Sequence, residues 1–124
     1  MTDLLIRLEN AKEGSRELDA EILRIARPEF ADMQFHPTVA GWLIGGDHKQ
    51  PEYAPRYTTS LDAALTLVPE GCIWATSAYT TFATADVTLT GEGFLSASGD
   101  VEFEAQAKTP ALALCIAALR ARAA

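Results

Sequence analysis

Apolar residues recur at helical spacing in two short stretches that open the chain. Leu4, Leu5 and Leu8 form one stripe, which predicts a helix from about Asp3 to Ala11. Gly14 interrupts it, and Ser15 is placed to cap a second helix that runs to about Ala26 and stops before Pro28. In that helix Leu18, Ile22, Ile25 and Ala26 are expected inside, with Glu17, Asp19, Glu21 and Arg24 mostly outside.

Residues 29–60 carry less periodicity. Val39 to Ile44 predicts a first strand near Trp42, and Phe35 adds a second apolar anchor. Two glycines and two prolines between Gly45 and Tyr57 predict a long loop, of the length at which loops often carry function. Ser60 then caps a short helix whose buried stripe is Leu61, Ala64, Leu65 and Val68, and Pro69-Glu70-Gly71 ends it.

Strict alternation follows. Ala83, Ala85, Val87 and Leu89 alternate with Thr84, Asp86, Thr88 and Thr90, and Val101, Phe103, Ala105 and Ala107 alternate with Glu102, Glu104, Gln106 and Lys108. Period two with one polar face predicts half-buried antiparallel strands. Cys72 to Tyr79 begins this meander, Phe94 to Ala97 is expected as a short strand, and 91–93 and 98–100 supply turns. Thr109 as N-cap and Pro110 at the first helical position open a last helix. Its stripe Leu112, Cys115, Ile116 and Leu119 is backed by a second apolar face of Ala111, Leu114, Ala118 and Ala121. A helix apolar nearly all round packs on more than one side, which predicts that Leu114, Ala118 and Ala121 meet other helices or another subunit. The pattern as a whole is that of one α+β domain: an antiparallel meander of about four strands packed with N-terminal helices, a central short helix and a C-terminal helix.

Composition narrows the function classes. The 124 residues suit a single domain with one core. Seventeen acidic residues against ten Lys and Arg give a net charge of -7, with no basic cluster, which argues against nonspecific nucleic-acid binding. Pro110–Leu119, the most apolar stretch, is far shorter than the roughly 20 residues that span a bilayer. The first nine residues carry charges where a signal peptide needs an apolar run, so a cytoplasmic location is expected. Cys72 and Cys115 sit in apolar surroundings and read as reduced thiols, with no spacing suited to zinc.

Catalytic chemistry finds little support. Neither His36 nor His48 lies in a nucleophile motif, and Gly45-Gly-Asp-His48 lacks the Gly-Lys-Ser/Thr of a phosphate loop. Asp47, His48 and Glu52 have no defined metal spacing, and Glu102, Glu104 and Asp86 read as a solvated strand face. The constellation retained is Trp42, His48, Tyr53, Arg56 and Tyr57, because aromatics and Arg on a long loop are the residue types enriched where proteins bind ligands or partners. No cofactor and no metal are expected.

Four stretches are familiar in combination: Leu4–Glu9, Gly14–Ile22, Pro55–Gly71 and Thr109–Arg120. The most specific are Tyr57-Thr-Thr-Ser-Leu-Asp-Ala-Ala64 and Thr109-Pro-Ala-Leu-Ala113. In this order they resemble the phage ABA sandwich domain family, small proteins of phages and prophage regions. The resemblance implies a sheet with helices on two faces (an α/β/α sandwich) and a phage or prophage accessory protein acting in the host cytoplasm. It brings no activity and no functional residue. The expected role is a non-enzymatic binding module for a host protein or a second copy of itself. The alternative is a protein that binds or sequesters a small molecule, such as a nucleotide-type signal in phage–host conflict.

Overall fold

In the structure, a computed structural model, residues 1–45, 50–89 and 101–123 are described. The order of elements is α1 (Thr2–Asn10), α2 (Arg16–Ala26), a single 3-10 turn (Pro28–Phe30), β1 (Gln34–Phe35), β2 (Trp42–Ile44), β3 (Glu52–Tyr53), α3 (Leu61–Leu65), β4 (Cys72–Ala78), β5 (Ala83–Leu89), β6 (Val101–Ala107) and α4 (Pro110–Ala123). The α+β class is as the pattern predicts. The sheet is not. Two three-stranded antiparallel sheets form, β1-β2-β3 and β4-β5-β6, where one meander of about four strands was expected. The strand expected near Trp42 is β2, but its partners β1 and β3 escaped the pattern because each is two residues long, too short for alternation to register. The strand expected at Phe94–Ala97 and its flanking turns lie outside the described residues.

The expected helix caps form, whereas Ile25, expected inside on α2, is exposed. The Ser15 hydroxyl accepts from Leu18 N–H at 3.2 Å, Ser60 from Ala63 N–H at 3.3 Å and Thr109 from Leu112 N–H at 3.2 Å, so each satisfies an orphan donor of its first turn. The larger sheet pairs in continuous register, Cys72 opposite Leu89 through Ala78 opposite Ala83, and Ala83 opposite Ala107 through Leu89 opposite Val101. Ala83, Ala85 and Val87 therefore face the core with Ala105 and Ala107, while Thr84, Asp86 and Thr88 share the other face with Glu102, Glu104 and Gln106.

Helix α4 lies on the inner face, chiefly over β5 and β6, and packs against α1 and α3 at its sides. Every residue from Ala111 to Leu119 is buried. Of the two covers expected for Leu114, Ala118 and Ala121, other helices or another subunit, the structure bears out the first and corrects the interface reading: all three are enclosed by elements of their own chain. Among the described residues no helix covers the Asp86 face of the sheet, and no helix is long and apolar enough to cross a membrane.

Asp19 is a second correction. Its position on α2 reads as solvent-facing, yet it is fully buried. One carboxylate oxygen accepts from Thr58 N–H at 2.8 Å and from the Thr58 hydroxyl at 2.7 Å, and the other accepts from Arg16 at 2.6 Å. The Thr58 hydroxyl also accepts from Ser15 N–H at 2.9 Å. A buried carboxylate is tolerable only when paired and hydrogen-bonded in this way. The network pins the segment before α3 to the start of α2. Gly14 is part of the same joint: a Cβ there would stand 2.3 Å from the Thr58 carbonyl oxygen.

Candidate functional site

The loop constellation is only partly assembled. Trp42 and Tyr53 are directly opposite across β2 and β3, with ring centroids 5.3 Å apart in an edge-to-face arrangement. The His36 ring also meets Trp42 in an edge-to-face arrangement, with centroids 6.1 Å apart. Tyr57 does not join them. It is buried, and burial pushes its phenol above the ordinary range. Arg56 is exposed and outside the cluster, and His48 lies outside the described residues.

The cation of the cluster is Arg16, which the sequence pattern did not single out. Its guanidinium sits 4.8 Å over the Tyr53 ring while donating to Asp19 and to the Ala54 carbonyl. Gly41 makes this approach possible: at φ +89° it adopts a conformation that suits glycine, and a Cβ would lie 2.6 Å from Arg16 Nε. A residue at the first position of a helix gave no local sign of reaching a strand pair nearly forty residues on.

On one side of Trp42 the surface opens into a groove of about 390 Å³ between α1, α2 and the β1–β2 connection. A second groove of about 360 Å³ continues it along α1 and α2. The two share Arg7, Glu21 and Phe35. Arg7 and Glu21 form an ion pair that bridges the helices, and Glu21 holds the Arg7 guanidinium further into its charged range. Around that polar centre stand apolar side chains left open to solvent: Ile25, Phe35 at 44% exposure and Val39. The Arg24 guanidinium lies 5.1 Å over the Phe35 ring. His36 shapes the wall. Its Nδ1 accepts from Thr38 N–H at 3.1 Å and Val39 N–H at 2.9 Å, so the neutral ring carries its proton on Nε2.

This is a surface that offers rings, aliphatic tips and a paired charge, with one imidazole nitrogen already committed to the turn. It has the composition of a recognition surface, apolar anchors within a polar frame. The Trp42 indole N–H is buried and has no hydrogen-bond partner among the described residues.

Carboxylates and thiols also lie away from the groove. Asp86, Glu102 and Glu104 bring carboxylate oxygens within 4.8 Å of one another on the uncovered sheet face. Cys115 is a free thiol whose sulfur donates to the Tyr57 carbonyl at 3.1 Å, and burial drives its pKa well above the ordinary thiol range. Cys72, also free, is half-buried at the start of β4 and is raised by the same cause.

Comparison with protein-family models, curated proteins and solved structures returns no match. The likeness to the phage ABA sandwich family therefore rests on the residues quoted above, and several of these have structural duties. Gly14, Ser15, Asp19, Thr58 and Ser60 are the joint and caps that hold α2 to α3.

Proposed function

We propose that this protein is a non-enzymatic binding module that acts by occupying a segment of a partner protein, in keeping with an accessory protein of a phage or prophage. The observation that carries the reading is the pair of joined grooves, in which exposed Ile25, Phe35 and Val39 surround the Arg7–Glu21 ion pair. An extended segment with apolar side chains flanking a charged or polar residue is the complementary ligand. The apolar side chains anchor it, and the ion pair rejects segments that leave a charge unpaired on its rim. The groove replaces α4 as the expected contact surface.

A photo-crosslinking amino acid at Val39, in the groove wall, and another at Asp62, exposed on α3 away from it, test this in host cells. A protein adduct specific to position 39 is expected. Identical adducts at both positions, or none at 39, contradict the reading.

A second reading, capture of a small planar ligand such as a nucleotide, is favoured by the Trp42–Tyr53 ring pair and the indole N–H, which has no partner among the described residues. Thermal-shift titration with cyclic and linear nucleotides tests it. A stabilisation that is lost in Trp42→Phe supports it, and no shift at millimolar ligand rules it out.

A further inference from the structure

Among the described residues strand β4 is an open edge of the larger sheet, and it lacks the devices that normally protect one. Edge strands are guarded by Lys, Pro, bulges or inward-pointing charge. The seven residues Cys72–Ala78 contain none of these, and they pair with β5 without a bulge. The opposite edge, β6, is different. It carries Glu102 and Glu104, and the Glu104 carbonyl accepts from Arg120 at 2.8 Å.

The direction of the free backbone groups follows from the hairpin. Tyr79 N–H donates to the Phe82 carbonyl at 2.8 Å, so Tyr79 and, by antiparallel alternation, Ser77, Ala75 and Ile73 turn their peptide groups toward β5. Trp74, Thr76 and Ala78 turn theirs outward. The Cys72 N–H also turns away and is taken by the Pro69 carbonyl at 3.2 Å.

We infer that this edge binds a second copy of the chain, with two β4 strands antiparallel about a two-fold axis at Thr76 and the two sheets joined into one of six strands. That axis places Thr76 opposite its own equivalent and Trp74 opposite Ala78 of the partner copy, so the outward peptide groups of all three residues are paired. Side-chain size agrees with this register. On the inner face Trp74, 40% exposed, meets the small Ala78, and on the outer face Ile73 meets Tyr79, both 58% exposed. Aromatic and β-branched residues directly opposite are favourable cross-strand pairs. The contact is isologous and closes at two copies.

Charge permits it. Each chain carries a net -7, but β4 itself is neutral. The nearest acid on the sheet, Asp86 on β5, is separated from its equivalent by three strand spacings, about 14 Å. That exceeds the ~8 Å screening length at physiological salt. Helix α4 lies chiefly over β5 and β6 and touches β4 less, so that Trp74 and Ala78 on the inner face of β4 stay exposed. The inference is independent of the groove, which is lined by α1, α2 and the β1–β2 connection.

Light scattering after size exclusion at about 100 µM chain tests it with two variants. Thr76→Pro removes an outward N–H without touching the β5 ladder, and Ile73→Lys/Tyr79→Lys sets like charges opposite each other. The wild type is expected at twice the chain mass, and both variants at the chain mass with unchanged far-UV circular dichroism. If Thr76→Pro loses its circular dichroism, the lysine variant and the wild type decide. A monomeric wild type, or a dimer that survives in the lysine variant, overturns the inference.

Discussion

The Thr58 hydroxyl donates to the Asp19 carboxylate at 2.7 Å, joining residues 39 positions apart in a region closed to solvent. The same carboxylate oxygen takes the Thr58 backbone N–H, and Arg16 takes the other oxygen. Asp19→Ala leaves the Arg16 charge and a buried N–H without their partner, so a loss of about 3 to 5 kcal/mol is expected. Thr58→Val removes one hydroxyl and costs about 1 to 3 kcal/mol. Urea unfolding of both singles and the double variant checks this. The double is expected to lose clearly less than the two singles together, because the groups share one network.

Gly14→Ala probes the same joint from the backbone side. The new methyl meets the Thr58 carbonyl at 2.3 Å, and neither backbone can yield without disturbing the Asp19 bonds. A destabilisation of about 1 to 3 kcal/mol is expected from thermal unfolding. Gly45→Ala, at φ +85° with none of the described residues within 4 Å of a Cβ there, separates backbone strain from steric contact. Its loss is expected to be smaller.

Alkaline pH weakens the fold through Cys115 and Tyr57. Burial raises both groups above their ordinary values of 9.0 and 10.0. The unfolded chain therefore releases these protons at lower pH than the native one, so stability is full below pH 9 and falls as pH rises above it. Cys115→Ala is expected to flatten the decline between pH 9 and 10, measured by urea unfolding. Thiol titration of the native protein at pH 8 is expected to label Cys72 and to spare Cys115 until the chain unfolds.

The uncovered sheet face is expected to be improvable. Asp86 stands directly opposite Glu104, and Glu102 is near enough to bring all three carboxylates within 4.8 Å. Like charges opposite each other in a sheet are destabilising by a few tenths to about 1 kcal/mol. Glu104→Lys reverses that sign against Asp86 and is expected to raise the melting temperature, most at low salt. An unchanged or lower melting temperature would mean the acids do not oppose one another in solution.

Elements whose local chemistry and periodicity agree were legible from the chain. The Ser15, Ser60 and Thr109 caps, the alternation of Ala83–Leu89 and the all-apolar α4 each state their element without help from the rest. What stayed hidden depends on distant partners. Asp19 looks like any acid on the polar side of a helix until Thr58 is brought to it. Leu114, Ala118 and Ala121 look like a surface for another molecule because sequence shows only that α4 needs covering, not that β5, β6, α1 and α3 supply the cover. At the candidate site, Trp42 and Tyr53 were found from residue type, whereas Arg16, His36 and the Arg7–Glu21 bridge come from separate elements and carry no shared local signal.

The binding reading is tested most directly by the affinity of the partner recovered through position 39, measured by titration calorimetry on wild type and Phe35→Ala. Phe35 is half in solvent, so its truncation spares the fold while removing the central apolar anchor. A tenfold or greater loss of affinity with an unchanged melting temperature is the predicted result. Equal affinity for the two proteins would contradict the assignment of the groove as the binding surface.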